Sequence, residues 1–146
     1  MKSMPRCKYN PDLIKFRGVA TRLIHAGNEP DQVFGGVSPA IHLSSTFAQP
    51  APGDPVVFDY ARCGNPTRAC LERTLASMEH ATYAFACSSG MAAHVTVMNL
   101  LKAGDHVLCV DDVYGGTQRY LLKILQTNAN VEVTLSDFSN ISDFKK

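Results

Sequence analysis

The stretch Ala84-Phe85-Ala86-Cys87-Ser88-Ser89-Gly90-Met91-Ala92-Ala93-His94-Val95 narrows what this chain can fold into more than any other. Its front, fed by Ala81-Thr82-Tyr83, has the composition of a strand buried on both faces. Ser88-Ser89-Gly90 breaks that run, and a good helix former comes next, with Met91, Val95 and Met98 as apolar positions. A strand that turns through Ser and Gly into a helix leaves backbone N–H groups without intrahelical acceptors. Those groups and the helix dipole favour an anion, typically a phosphate. Gly90 lets the backbone approach it, and Ser88 or Ser89 supplies a hydroxyl. The plain alternative is that Ser89 does no more than cap a helix.

The chain beyond this stretch repeats the pattern. Strands are expected over 82–87, 106–111 and 131–135, with helices over 89–101 and roughly 117–127. Strand–helix–strand–helix–strand with short links specifies an α/β fold, a mainly parallel sheet with flanking helices. Ligands of such sheets sit at the carboxyl ends of the strands. The turns at 88–90 and 112–117 are therefore expected on one edge, facing one ligand. Residues 141–146 begin an element that is not finished, so the sheet is expected to need more chain.

Upstream, residues 1–17 read as a loosely held arm. A short helix is expected over 20–26, with Gly27 as its stop. Residues 37–47 are extended, and Pro39 argues against a central strand. His42 in this segment reads as a packed or surface histidine, not a ligand. The run Gln49-Pro50-Ala51-Pro52-Gly53-Asp54-Pro55 is a loop. Asn65 and Pro66 then form a strong helix start. That helix runs to Met78, with Leu71, Leu75 and Met78 on one face and Glu72, Arg73 and Glu79 elsewhere. Just before it, Tyr60 and Arg62 alternate in a loop, placed to point the same way if the backbone is extended. Taken alone they read as a solvated pair.

Composition removes several classes. With 14 basic and 13 acidic residues the net charge is +1, so no long-range field favours nucleic acid. No apolar run reaches membrane-span length, and the polar, basic amino terminus lacks the apolar core of a secretory signal. The five cysteines are scattered with no C-x-x-C pair, and the histidines form no ligand spacing. Cys87 and Cys109 lie in apolar runs and read as small hydrophobes. The expectation is a cytoplasmic protein without a metal.

The common phosphate motifs are absent as well. There is no G-x-G-x-x-G, no G-x-x-x-x-G-K-[ST] and no G-x-S-x-G. What remains is a phosphate turn with Tyr114 on the same expected edge. That pairing suits a flat phosphorylated cofactor, held at its phosphate and stacked on the tyrosine.

Three segments in register, Phe58 to Arg68, Phe85 to Ala93 and Asp111 to Tyr120, resemble the trans-sulfuration family of pyridoxal-phosphate (PLP) enzymes of cysteine and methionine metabolism. The likeness runs from about Ala20 to Val133 and is closest to the cystathionine gamma-lyase branch. The resemblance implies part of a large fold type I, aminotransferase-like PLP-binding domain. Residues 1–57 would be an N-terminal arm and inter-subunit segment, and 58–146 the first part of that domain. It implies that Ser89, Gly90 and Met91 hold the cofactor phosphate, and that Tyr114 stacks on the cofactor ring and serves in proton transfer. Tyr60 and Arg62 would reach the neighbouring subunit's cofactor. Arg119, with Arg62 and Tyr114, would meet the substrate, although Arg119 equally suits a structural ion pair. The family commonly has Ala or Phe near Cys87 and Leu in place of Met91, and both changes keep the backbone contact.

The activity so implied is carbon–sulfur cleavage at the gamma carbon, taking cystathionine to cysteine in a homo-oligomer, a dimer or dimer of dimers. A synthase or a methionine gamma-lyase are the alternatives within the family. The reaction needs a Schiff-base lysine, and none of Lys2, Lys8, Lys15, Lys102, Lys123, Lys145 and Lys146 has that setting. Residues 1–146 are therefore expected to be the front part of such an enzyme and inactive alone. The alternative of another class is a non-catalytic short product that binds a full-length relative.

Overall fold

A computed structural model describes residues 18–31 and 34–139, so the expected arm at 1–17 and the element beginning at 141 lie outside the described residues. The chain divides into two compact units, one up to Ala86 and one from Cys87.

In the first unit, helix α1 covers Val19–His25 and helix α2 covers Pro66–Met78. Both match the expected segments within a residue. Gly27, at φ +78°, ends α1 by crossing α2 so closely that a side-chain carbon there would stand 2.8 Å from Arg73 Cβ and from the Cys70 carbonyl. Thr74 Oγ1 donates to the Ala26 carbonyl at 2.7 Å. Arg22, 6% exposed, reaches from α1 to donate to the Ser77 carbonyl at 2.8 Å and to meet the His80 ring. Asn65 caps α2 as expected, accepting from the N–H groups of Thr67 and Arg68.

The face that α2 buries differs from the leucine face. Ala69, Glu72, Ala76 and Ser77 are buried, whereas Leu71 and Leu75 are exposed. Small residues let α1 and the chain past Met78 come close, and this proximity decides the buried side over hydrophobic spacing.

In the second unit, helix α3 covers Gly90–Met98 and strand β1 covers His106–Val110. Helix α4 (Gly115–Tyr120) runs through a π-helical turn at Leu121–Leu125 into α5 (Gln126–Ala129), and strand β2 covers Glu132–Ser136. The strands pair in parallel, with Val107 opposite Val133 and Cys109 opposite Leu135. Leu121, Leu125 and Val131 are buried and pack with Met98, Leu101, Val107, Cys109 and Val133. Asn130, at φ +52°, turns the chain after α5, and its carbonyl accepts from Gly104 N–H at 2.7 Å.

The strand expected at 82–87 is not one. Among the described residues the segment joins no ladder and the sheet has two strands, and Phe85 and Cys87 are exposed. A run of buried-strand composition becomes a strand only where a neighbouring ladder takes its N–H and C=O groups. Here the N–H of Ala86 is taken by the Glu72 carboxylate. No helix among the described residues is long and apolar enough to cross a membrane.

Candidate active site

The second unit brings the amino ends of α3 and α4 together. Ser89 caps α3, its hydroxyl oxygen accepting the Ala92 N–H at 3.0 Å. The hydroxyl keeps its own hydrogen to donate. The N–H groups of Gly90 and Met91 precede the first intrahelical bond, and no acceptor among the described residues meets them. A side-chain carbon at Gly90 would meet nothing within 4 Å, so these donors are open to a ligand. Ser89 is thus a helix cap, and the two N–H groups that follow it have no acceptor among the described residues.

Met91 links this turn to the next one. Its sulfur accepts from Thr117 Oγ1 at 3.7 Å, and Thr117 lies in the first turn of α4. Tyr114 is the residue before α4 and is 74% exposed, so its ring is available for stacking. The expected juxtaposition of the turns at 88–90 and 112–117 therefore exists, made by a Met–Thr contact between helix ends. Behind it, His94 packs edge-on against Tyr120 with ring centroids 5.7 Å apart. Arg119 is exposed in the last turn of α4, and no carboxylate among the described residues forms an ion pair with it.

Tyr60 and Arg62 lie in the first unit and do point the same way. The Arg62 guanidinium carbon sits 5.1 Å from the Tyr60 ring centroid, at cation–π distance, and both residues are exposed. Tyr60 forms an isolated antiparallel bridge with Thr46. Arg68 holds the loop between them and α2, donating to the carbonyls of Ala61 at 2.9 Å and Arg62 at 3.3 Å. Its Nε also pairs with Glu72 at 3.6 Å. From the sequence, Arg68 and Glu72 are named but not paired, although their i, i+4 spacing is an ion-pair signal on a helix.

The second unit thus holds a helix start with unpaired N–H groups, joined by the Met91–Thr117 contact to the turn that bears an exposed tyrosine. Residues 20–146 match the family described as Cys/Met metabolism PLP-dependent enzymes, and the chain belongs to that family. The match extends past Val133, the expected end of the likeness. Over 128 residues the chain is 48% identical to cystathionine gamma-lyase of Bos taurus, covering 87% of this chain and 31% of that protein. It is also 48% identical over 108 residues to a probable cystathionine gamma-synthase of Herpetosiphon aurantiacus, covering 74% of this chain and 34% of that one.

Among solved structures, metB from Corynebacterium glutamicum superposes with a TM-score of 0.84 at 41% identity, over 94% of this chain and 35% of that one. Cystathionine gamma-lyase from Lactobacillus plantarum, complexed with L-serine, gives 0.79 at 38%, over 88% of this chain and 33% of its own. The fold is thus part of a PLP-binding domain of the trans-sulfuration enzymes, and PLP is the cofactor of the family. The chain spans about a third of the length of the curated relatives it matches.

Proposed function

We propose that this chain forms the cofactor-phosphate and ring-stacking part of a carbon–sulfur lyase that cleaves cystathionine to cysteine by gamma-elimination. The observation that carries the reading is the open donor set at Gly90 and Met91, joined through Met91 and Thr117 to the turn that bears an exposed Tyr114. The residues fit the cofactor: two free N–H groups and a hydroxyl suit a phosphate dianion, and an unobstructed aromatic face suits a pyridine ring.

When bound, the cofactor supplies the electron sink for breaking bonds at the substrate's carbons. The chain's own residues bind and orient. Ser89, Gly90 and Met91 fix the phosphate end, and Tyr114 holds the ring plane and carries a phenolic proton that can move at its oxygen. Tyr60 and Arg62 serve the neighbouring subunit's phosphate, which makes the protein a homo-oligomer, a dimer or dimer of dimers. Arg119 and Arg62, both exposed cations, are suited to a substrate carboxylate. In this reading residues 1–57 are the arm and inter-subunit segment, and 58–146 are the front of the cofactor domain. Residues 1–146 alone do not turn over cystathionine, because Lys102 and Lys123 lie on exposed positions outside the two helix ends that gather the site.

A second reading, the synthase, is favoured by the gamma-synthase relative at the same 48% identity. The test is product analysis with the full-length protein. Release of cysteine from cystathionine supports the lyase. Net formation of cystathionine from cysteine and an activated homoserine, without that release, overturns it in favour of the synthase.

A further inference from the structure

The first turn of α4 carries two adjacent glycines that stand in different surroundings. A side-chain carbon at Gly115 would meet nothing within 4 Å. At Gly116 it would stand 2.5 Å from Tyr114 Cε1, 3.2 Å from Tyr114 Cδ1 and 3.4 Å from Met91 Sδ. Carbon atoms that are not bonded settle at about 3.5–4 Å, so the tyrosine ring already fills the space of a side chain at 116. Neither glycine has a positive φ. The backbone therefore demands glycine at neither position, and a glycine inside a helix is less favourable than an alanine. At Gly116 the reason for the residue is space.

We infer that Gly116 is the positioning residue for Tyr114: without a side chain it is the shelf on which the tyrosine ring lies. The ring is then held on one side by the helix and remains open on the other, as its 74% exposure requires. This inference rests on the reading of Tyr114 as the stacking group. The ring is the far end of a flexible, exposed side chain, so an alanine at 116 displaces the ring and leaves the helix intact. Loss of ring placement is thereby separated from loss of fold.

The experiment compares Gly115→Ala, Gly116→Ala, Tyr114→Leu and the double variant Gly116→Ala/Tyr114→Leu in the full chain. Two readouts are taken. With glycine labelled, the Gly116 α-proton resonance is expected upfield under the Tyr114 ring, returning to an ordinary position in Tyr114→Leu. An unshifted resonance in the unsubstituted chain overturns the inference. Equilibrium dialysis then gives affinity for pyridoxal phosphate. An aromatic contact of ordinary strength corresponds to about a twofold to tenfold weakening in Gly116→Ala. Gly115→Ala is expected to leave affinity unchanged, and Gly116→Ala to add nothing once Tyr114 is leucine. Equal losses at 115 and 116, or a loss at 116 that persists in the leucine background, overturn the inference. If Tyr114→Leu binds the cofactor as well as the unsubstituted chain does, the stacking reading fails, and the Gly116 resonance alone decides whether the shelf exists.

Discussion

The carboxylate of Glu72, on α2, accepts the backbone N–H of Ala86 at 2.9 Å, three residues before Ser89 in the chain. Glu72 is only 8% exposed, and its side chain also pairs with Arg68 at 3.6 Å. One buried carboxylate thus ties together the helix, the extended segment that leads toward the Ser89–Gly90 turn, and the arginine that grips the loop of Tyr60 and Arg62. Removing it strands the Ala86 N–H. Ala86 is only half-buried, so the stranded donor costs toward the low end of about 1–3 kcal/mol, and Glu72→Ala is expected to lose about 1 kcal/mol or more of stability. Glu72→Gln keeps an acceptor oxygen and loses only the ion pair, which the partly exposed Arg68 makes worth less than about 1 kcal/mol. Urea denaturation of the two variants checks the order; equal losses would refute the hydrogen-bond account.

Asn65 does two jobs at the start of α2. Its side-chain oxygen accepts from Thr67 and Arg68, and its amide nitrogen donates to the His42 carbonyl at 3.1 Å. Asn65→Ala is expected to cost about 1 kcal/mol as the loss of a cap. Asn65→Asp restores the cap but cannot donate to His42, so it should fall between the two. Thermal unfolding of the three chains tests the ranking.

Gly27 and Gly53 have nearly the same backbone, φ +78° and +77°, in unlike surroundings. A side chain at 53 meets nothing, so Gly53→Ala bears only the left-handed conformation, about 1–2 kcal/mol. At 27 the new carbon would lie 2.8 Å from a backbone carbonyl of α2, which cannot swing aside. Gly27→Ala should therefore add an overpacking cost of about 1–3 kcal/mol to the same strain. Denaturant midpoints that coincide for the two variants would show that α1 and α2 do not pack this closely.

How much of the fold and the site is legible in the sequence depends on how local each cause is. Asn65-Pro66 announces a helix by its own chemistry, and the Ser89-Gly90 turn carries its donors within a few residues, so both stand where the sequence puts them. The strand expected at 82–87 does not form because strand character belongs to a ladder, and Ala86 finds a carboxylate instead. The buried face of α2 escapes a periodicity argument because leucine spacing outweighs small residues there, whereas helix approach favours Ala69, Ala76 and Ser77. The Met91–Thr117 contact, which joins the two turns of the candidate site, links residues 26 apart, and no local pattern announces it.

After β2, Asp137 accepts from the Ser139 N–H and from its hydroxyl, each at 2.8 Å. These two bonds, the backbone one foremost, hold the Asp137 carboxyl below the usual aspartate range. The folded state thus favours the charged form. Its contribution is present above the ordinary aspartate pKa and fades as pH falls through the lowered value. In Ser139→Ala the hydroxyl bond goes while the backbone bond stays, so the Asp137 titration should move part of the way back toward its ordinary value. Carboxyl resonances followed through an acid titration report it, and an unmoved midpoint would remove the hydroxyl's part.

The reading of Tyr60 and Arg62 as groups that serve a neighbour has a test that fold damage cannot imitate. In a symmetric dimer, Arg62→Ala removes a phosphate contact from the site opposite, and Tyr114→Leu damages the site of its own chain. Each variant alone impairs every site. Mixed and refolded together, half of the dimers are hybrids, and each hybrid has one site with both defects and one with neither. Cofactor affinity should then show about a quarter of sites restored to full strength in an equal mixture. If Arg62 instead served the site of its own chain, every site of a hybrid would carry one defect and nothing would be restored. Biphasic cofactor release from the mixture, with a slow phase absent from either variant, marks the first arrangement; a single fast phase marks the second.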